Sequence, residues 1–340
     1  MDTLIARQEA IASGTYESLP LPKFNTYVVS NLRGGIGKTS LVFNLSYLAN
    51  EMLIIDTCPQ GNLSYFFDHN YQINGGVSIN DVLRPYFFPG FGKASHSSQF
   101  IGATNSYFAN KNNYFIKSSL DLYILPSLMA NSLAQARTLT GQPQIQAIDT
   151  LLYSLRTEVN SEMNVTNTKR CLIDTSPFFS GATHLAWHAT DALIVPVRTD
   201  QQSLNSLKLL IDTLVSPMSE FRRTIPSNGH TPKIQMIVLT HCGWSTVAGA
   251  RNIPNQQTKM FLKEIFELVS KNISLFTTND PRNHIVILDD FLGSGRMSTA
   301  QSKPLLCMQP GETMYINRVK TTVNDSIYKI NNELSFIYNS

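Results

Sequence analysis

The chain has 340 residues, 42% hydrophobic and 15% charged, an ordinary soluble composition whose length fits one large α/β domain with insertions. Its net charge of +3 permits contact with nucleic acid without arguing for it. The four cysteines are far apart with no C-x-x-C pair, and no apolar run reaches about 18 residues. A disulfide framework, a zinc site, a signal peptide and a membrane span are therefore not expected, and a reducing cytoplasm is the natural setting.

Residues 2–13 read as a short helix ended by Gly14, and "ESLPLPKF" as a Pro-punctuated linker. Residues 1–24 are thus an N-terminal helix and linker ahead of one domain over 25–340. "TYVVSNL" is a buried strand running into a glycine loop, "TSLVFNLSYLAN" has apolar residues at helical spacing, and "MLIIDT" is the next buried strand. Strand, loop, helix and strand in under 35 residues make a βαβ unit. Residues 85–117, rich in Phe, Tyr, Asn, Ser and Gly, have no clean period and read as an insertion with aromatic anchors. Buried strands resume with "LDLYILPS", "RCLIDTSP", "DALIVPV" and "KIQMIVLTH", separated by helices such as "SLNSLKLLIDTLV" and "TKMFLKEIFELVSKN". The alternation predicts a mostly parallel twisted sheet with helices on both faces.

The loop "SNLRGGIGKTS" carries the chemistry. Gly34, Gly35 and Gly37 let backbone N–H groups converge on an anion at the positive end of the next helix. Lys38 is placed to reach the β and γ phosphates, and the Thr39 hydroxyl to ligand Mg²⁺. Ile36 and Ser40 complete the predicted nucleotide-binding stretch. The usual G-x-x-x-x-G-K-T spacing fails, because Leu32 stands where the first glycine belongs. Asp56 and Asp174 end buried strands, where open α/β sheets place ligand-binding groups, although a turn or capping role is the alternative for each.

"RGGIGKTS" resembles the deviant Walker A motif, K-G-G-x-G-K-T, of the ParA/MinD family of P-loop ATPases. "LIIDTCPQGNLS" resembles that family's second motif, D-x-D-P-Q-G-N. "CLIDTSPFFSGATHLAWHATDALIVPVRTDQQSL" resembles its Walker B strand and the segment beyond it, and "FLGSGRMSTAQSKPL" the late loop of plasmid-type members. Scattered matches cover roughly residues 25–335.

The resemblance implies a P-loop NTPase fold of the deviant Walker A type, with ATP and Mg²⁺ as ligands. Asp174 then takes the Walker B role and Asp56 that of the second motif's first aspartate. Arg33 replaces the family's signature lysine, which reaches across a dimer interface to the partner's nucleotide. Arginine keeps the charge and adds planar bidentate donors. Cys58 replaces the aspartate that helps to position the attacking water, and a thiol is a weaker acceptor. Hydrolysis is then slow, or another residue does the positioning, or Cys58 is simply a small buried filler.

The function implied is that of a ParA-like ATPase. It dimerises on Mg-ATP, binds DNA non-specifically and positions a plasmid, chromosome or other cargo with a ParB-like centromere-binding protein or cargo adaptor. It would be cytoplasmic and nucleoid-associated when ATP-bound. The alternative is an ATP-binding dimerisation switch with little hydrolysis. Arg222, Arg223, Arg318 and Lys320 are the DNA-contact candidates. His184 and His188, at i and i+4 without a third ligand, read as structural. The apolar spacing of Ile327, Ile330, Leu334 and Ile337 reads as a helix packed on the body instead of a membrane anchor. The residues before the first strand are too few for a helix-turn-helix domain.

Overall fold

The computed structural model describes residues 2–88, 90–93, 96–179, 181–246 and 252–340. Helix α1 (Asp2–Ala12) precedes β1 (Thr26–Val29), the P-loop, α2 (Lys38–Leu48), β2 (Met52–Asp56), α3 (Asn62–Phe67) and α4 (Ile79–Phe87). Then come β3 (Gln99–Phe100), β4 (Tyr114–Ile116), α5 (Leu125–Ala136), α6 (Gln142–Leu152), α7 (Ser154–Thr166), β5 (Arg170–Asp174), α8 (Gly181–Ala189) and β6 (Ala192–Arg198). The chain continues with α9 (Gln201–Val215), α10 (Glu220–Arg223), β7 (Lys233–Thr240), α11 (Gln256–Lys271), β8 (Ile285–Ile287) and α12 (Leu292–Gln301). It ends with a hairpin, β9 (Thr313–Ile316) and β10 (Val319–Thr322), and α13 (Ser326–Asn339).

Eight strands form one sheet in the order β3-β4-β2-β5-β1-β6-β7-β8, parallel throughout except for β3 against β4. Because side chains alternate across each strand, the sheet feeds two cores. One face packs Val28, Leu53, Cys171, Leu193 and Ile237 against α4 to α9 and α11. The other packs Val29, Ile54, Leu172, Met236 and Val286 against α2, α3, α12 and α13. Chain order reverses on either side of β1, so the crevice beyond the carboxyl end of β1 is the topological switch point, the place where such sheets bind ligands.

Helix α13 buries Ile327, Ile330, Leu334 and Ile337, so the apolar stripe read from the sequence is spent on internal packing. Helix α1 covers the β8 edge, where the Arg7 guanidinium donates to the carbonyls of Arg282 and Ile285.

Two segments differ from the sequence expectation. "LDLYILPS" is not a strand: residues Leu120–Tyr123 form a 3₁₀ turn and Leu125 begins α5, with Pro126 in its first turn. Only Leu122 and Leu125 of its apolar residues are buried, at helical spacing, while Leu120, Tyr123 and Ile124 face outward. The strand beside β2 on the side away from β5 is β4, which lies inside the stretch read as an irregular insertion. Phe108 and Phe115 of that stretch join Phe43 and Phe67 in one aromatic cluster. Residues 89, 94 and 95 of the stretch lie outside those described.

His184 and His188 are buried side by side on α8, with ring centroids 4.9 Å apart among Phe179, Trp187 and Phe221. Burial pushes the His184 imidazole down to about 3, and burial reinforced by His184 lowers His188 too. A histidine kept neutral in the fold contributes stability above its unfolded pKa, near 6.5, that is lost as the pH falls toward the folded value. His184 alone is expected to cost about 2 kcal/mol by pH 5 relative to pH 8. Thermal melts of the protein and of His184→Phe check this. The variant should lose much less stability over that range, and parallel pH profiles would show that the pair does not carry the acid sensitivity.

Candidate functional site

The P-loop follows β1, whose extension is held by the Ser30 N–H donating to the Ile194 carbonyl at 3.0 Å. Gly35 (φ 69°) and Gly37 (φ 88°) lie in the left-handed region, which L side chains adopt at a cost. A Cβ built on either would meet nothing within 4 Å, so both glycines turn their bare faces to open space. Gly37 also caps α2, whose first turn leaves backbone N–H groups without helical partners. Ile36 is buried and fixes the loop, its carbonyl accepting from Thr240 Oγ1 at 3.2 Å.

Lys38 is buried, and its Nζ donates to the Arg33 carbonyl at 2.7 Å. Burial lowers its pKa, against the pull of Asp174. Thr39 Oγ1 donates to Asp174 Oδ2 at 2.7 Å. Asp56 lies beside Asp174 in the β2/β5 register, so two carboxylates end neighbouring strands. Asp56 accepts from the Cys58 N–H at 3.0 Å and from both the N–H and the hydroxyl of Ser64 at 2.8 Å. Burial raises both acids, and the Asp56 charge raises Asp174 further, as expected for like charges out of water.

A hard divalent cation relieves that penalty, and Thr39 with Asp174 offers it oxygen donors. Among the described residues no group of three or more His, Cys, Asp or Glu could hold a metal by itself. That suits Mg²⁺, which keeps waters and takes phosphate oxygens instead of a protein cage. The open-faced glycines, the buried ammonium and this hydroxyl–carboxylate pair therefore fit a Mg²⁺-nucleoside triphosphate.

Cys58 is buried next to this pair. Its thiol is pushed up to about 11, first by burial and then by Asp56, so it stays neutral at ordinary pH. Ser176, in the loop after β5, opposes that shift more weakly.

Arg33 does not stand free. Its guanidinium pairs with Asp200 and the Ser203 hydroxyl at the start of α9 in the same chain. Asp200 is the N-cap of that helix, accepting from the Ser203 N–H at 2.9 Å. Partial burial opposes ionisation, but the Ser203 N–H and Arg33 together hold the Asp200 carboxyl below its usual range. A second arginine, Arg198, lies 3.7 Å from Asp200 Oδ2 and contacts the Gly35 carbonyl at 3.4 Å.

Sequence reasoning missed the wall opposite the P-loop. A cleft of about 460 Å³, within the range of small-molecule sites, is lined by Gly35, Gly37 and Ser40 on one side. Thr240, His241, Asp290 and Arg296 line the other. Asp290 follows β8, and the run "IVILDD" carries the apolar-strand-then-carboxylate signature of "LIIDT" and "CLIDT". Arg296 sits on α12, because "FLGSGRMSTA", compared above to a loop, is helical.

The predicted DNA contacts are not brought together. Arg222 and Arg223 end α10, which anchors through Phe221 in the core on one face of the sheet. Arg318 and Lys320 lie on the β9–β10 hairpin, whose Met314 and Ile316 pack on the other face. Among the described residues no helix is long and apolar enough to cross a membrane.

A family profile described as an AAA domain matches residues 24–225. The chain is 24% identical over 216 residues to Protein IncC of Escherichia coli, covering 61% of this chain and 50% of that protein. It is 23% identical over 188 residues to the maintenance of carboxysome distribution protein A of Gloeothece citriformis, covering 54% and 60% respectively. The chain thus spans about half the length of these relatives. In fold it is similar to apo McdA of Cyanothece, with a TM-score of 0.57 at 17% identity over 82% of this chain and 91% of that one. It is also similar to a variant of Cyanothece McdA in complex with ATP, with a TM-score of 0.55 at 17% identity over 83% and 89%. With the P-loop, the paired strand-end aspartates and the sheet order, these matches show that the chain belongs to the ParA/MinD family of deviant Walker A P-loop ATPases, within the AAA domain class.

Proposed function

We propose that the chain is a ParA-like positioning ATPase. It binds Mg-ATP at residues 33–40, dimerises with the nucleotides at the interface, and in that state binds DNA non-specifically and engages an adaptor that carries the cargo. One observation carries the nucleotide site: two open-faced glycines, a buried lysine and a threonine-bound aspartate converge at the switch point of the sheet. The named relatives support a positioning role, since one of them maintains carboxysome distribution.

In this reading the P-loop amides and Lys38 hold the phosphates, while Thr39 and Asp174 hold Mg²⁺, which neutralises phosphate charge when bound. The cleft between Ser40 and Asp290 receives the rest of the nucleotide. Phosphoryl transfer of this kind depends on positioning and electrostatics. The neutral Cys58 thiol orients an attacking water poorly, so basal turnover is low.

Arg33 reaches a partner's nucleotide only after leaving Asp200. Arg198 is placed to take over that carboxylate, so departure of Arg33 does not strand an unpaired anion. Asp200→Ala should therefore lower the cost of release and tighten the Mg-ATP dimer, by about three- to tenfold for a partly exposed ion pair. Arg33→Ala should weaken it. Dimer dissociation constants for both variants, with steady-state phosphate release measured with and without DNA, test the reading. Phosphate release from the parent that DNA does not change, together with dimerisation unaltered in both variants, would contradict it.

A further inference from the structure

We propose that the β9–β10 hairpin is a ribbon that grips the phosphate backbone of duplex DNA, positioned by α12 from the wall of the nucleotide cleft. This rests on the DNA-binding reading above and names the element that performs it. The two strands pair Ile316 with Val319, Tyr315 with Lys320 and Thr313 with Thr322, leaving the two-residue turn Asn317–Arg318. The inner face packs on the core through Met314, Ile316 and the buried Thr321, while Val319 beside the turn stays exposed.

The outer face and tip present Thr313, Thr322, Tyr315, Lys320, Asn317 and Arg318. All are of the side-chain types that contact phosphate oxygens in protein–DNA complexes, and Tyr315 is 71% exposed. None of these six is a carboxylate. The nearby Glu312 is engaged by Lys303 at 2.6 Å and by the Gln309 N–H, whereas Arg318 and Lys320 have no ion pair among the described residues. A two-stranded ribbon is one of the shapes the major groove of B-DNA admits.

The turn supplies an independent argument. Both central residues are left-handed, Asn317 at φ 49° and Arg318 at φ 67°. Such turns strongly prefer Asn-Gly, so an arginine in the second place carries a backbone cost. Strain of this kind in an observed structure points to a role for the side chain, here a cation at the most projecting point of the hairpin.

The coupling to nucleotide is steric. Helix α12 lines the cleft with Gly295 and Arg296, and at Gly293 it approaches the hairpin so closely that a Cβ would lie 3.1 Å from both Thr321 Cγ2 and the Thr322 carbonyl oxygen. A shift of α12 on nucleotide binding therefore moves the hairpin with it.

The test is fluorescence anisotropy of a labelled duplex of about 30 base pairs, long enough for several phosphate contacts, over a salt series with Mg²⁺ and a slowly hydrolysed ATP analogue. It compares the full chain, Arg318→Ala/Lys320→Ala and Arg318→Gly. The double variant should keep its melting temperature, nucleotide affinity and dimerisation. Its slope of log K against log salt should shrink by about 1.8 for each hairpin engaged. Arg318→Gly should melt no lower than the parent and still bind DNA more weakly, a split that a merely structural turn would not give. DNA binding by the double variant with the parent's slope would overturn the hairpin assignment and leave the DNA-binding reading standing. Failure of the parent to bind any duplex would overturn both. Hairpin-dependent binding of polyglutamate tighter than that of DNA would assign the surface to an acidic protein segment and overturn the proposal.

Discussion

Lys38→Ala is expected to lower Mg-ATP affinity by two to three orders of magnitude while leaving the fold intact. The ammonium is buried at the head of α2, and its hydrogen bond goes to a backbone carbonyl, that of Arg33. Without phosphate its burial cost is only partly offset by Asp174, as its lowered pKa shows. Removing it therefore costs the empty fold little, and melting should be unchanged or slightly raised. With nucleotide the balance inverts. A preorganised cation facing phosphate in a water-poor cradle is worth about 3–4 kcal/mol, comparable to other electrostatic contacts of catalytic sites. Calorimetry reads both halves. Unchanged ATP affinity in a folded variant would remove residues 33–40 from the site.

Cys58→Asp is expected to raise ATP turnover on the order of a hundredfold, about 2.7 kcal/mol of barrier, with little change in nucleotide affinity. The gain arises because a carboxylate positions water where a neutral thiol does not, and that contact matters chiefly in the transition state. The structure adds a second expectation. The new carboxylate would stand beside Asp56 and Asp174, two buried acids already raised by burial, Asp174 further by the Asp56 charge. The variant should therefore melt lower than the parent without ligand and regain stability with Mg²⁺ and ATP analogue. Turnover no faster than the parent's, with dimerisation intact, would show that Cys58 is not where the water is held.

Much of this architecture was legible in the residues because its signals are local. β1, β2, β5, β6 and β7 are apolar runs of four to eight residues, and the P-loop, Lys38, Thr39, Asp56 and Asp174 sit at their carboxyl ends. Helices α9, α11 and α13 announce themselves through apolar residues at helical spacing. Errors arose where a run was short or its period ambiguous. β4 has three residues and stands among aromatic and amide side chains, whereas "LDLYIL" is apolar enough to imitate a strand although α5 begins at Leu125, with Pro126 in its first turn.

The site's far wall was lost for a different reason. Asp290 and Arg296 come from elements at the other end of the chain from the P-loop, and only the sheet order β1-β6-β7-β8 brings them back to it. The Arg33–Asp200 pair spans 167 positions and is likewise a product of topology. No spacing rule connects those two residues, yet that contact decides what Arg33 must give up before it can act on a second subunit.

Sedimentation velocity of the unmodified protein, with Mg²⁺ and a slowly hydrolysed ATP analogue and without nucleotide, tests the central claim most directly. The account predicts a species of the 38.0 kDa chain alone without nucleotide and one of twice that mass with it. Arg33→Ala should remain largely single under both conditions. A parent that binds the analogue by calorimetry yet sediments as a single chain at every concentration tested would contradict it.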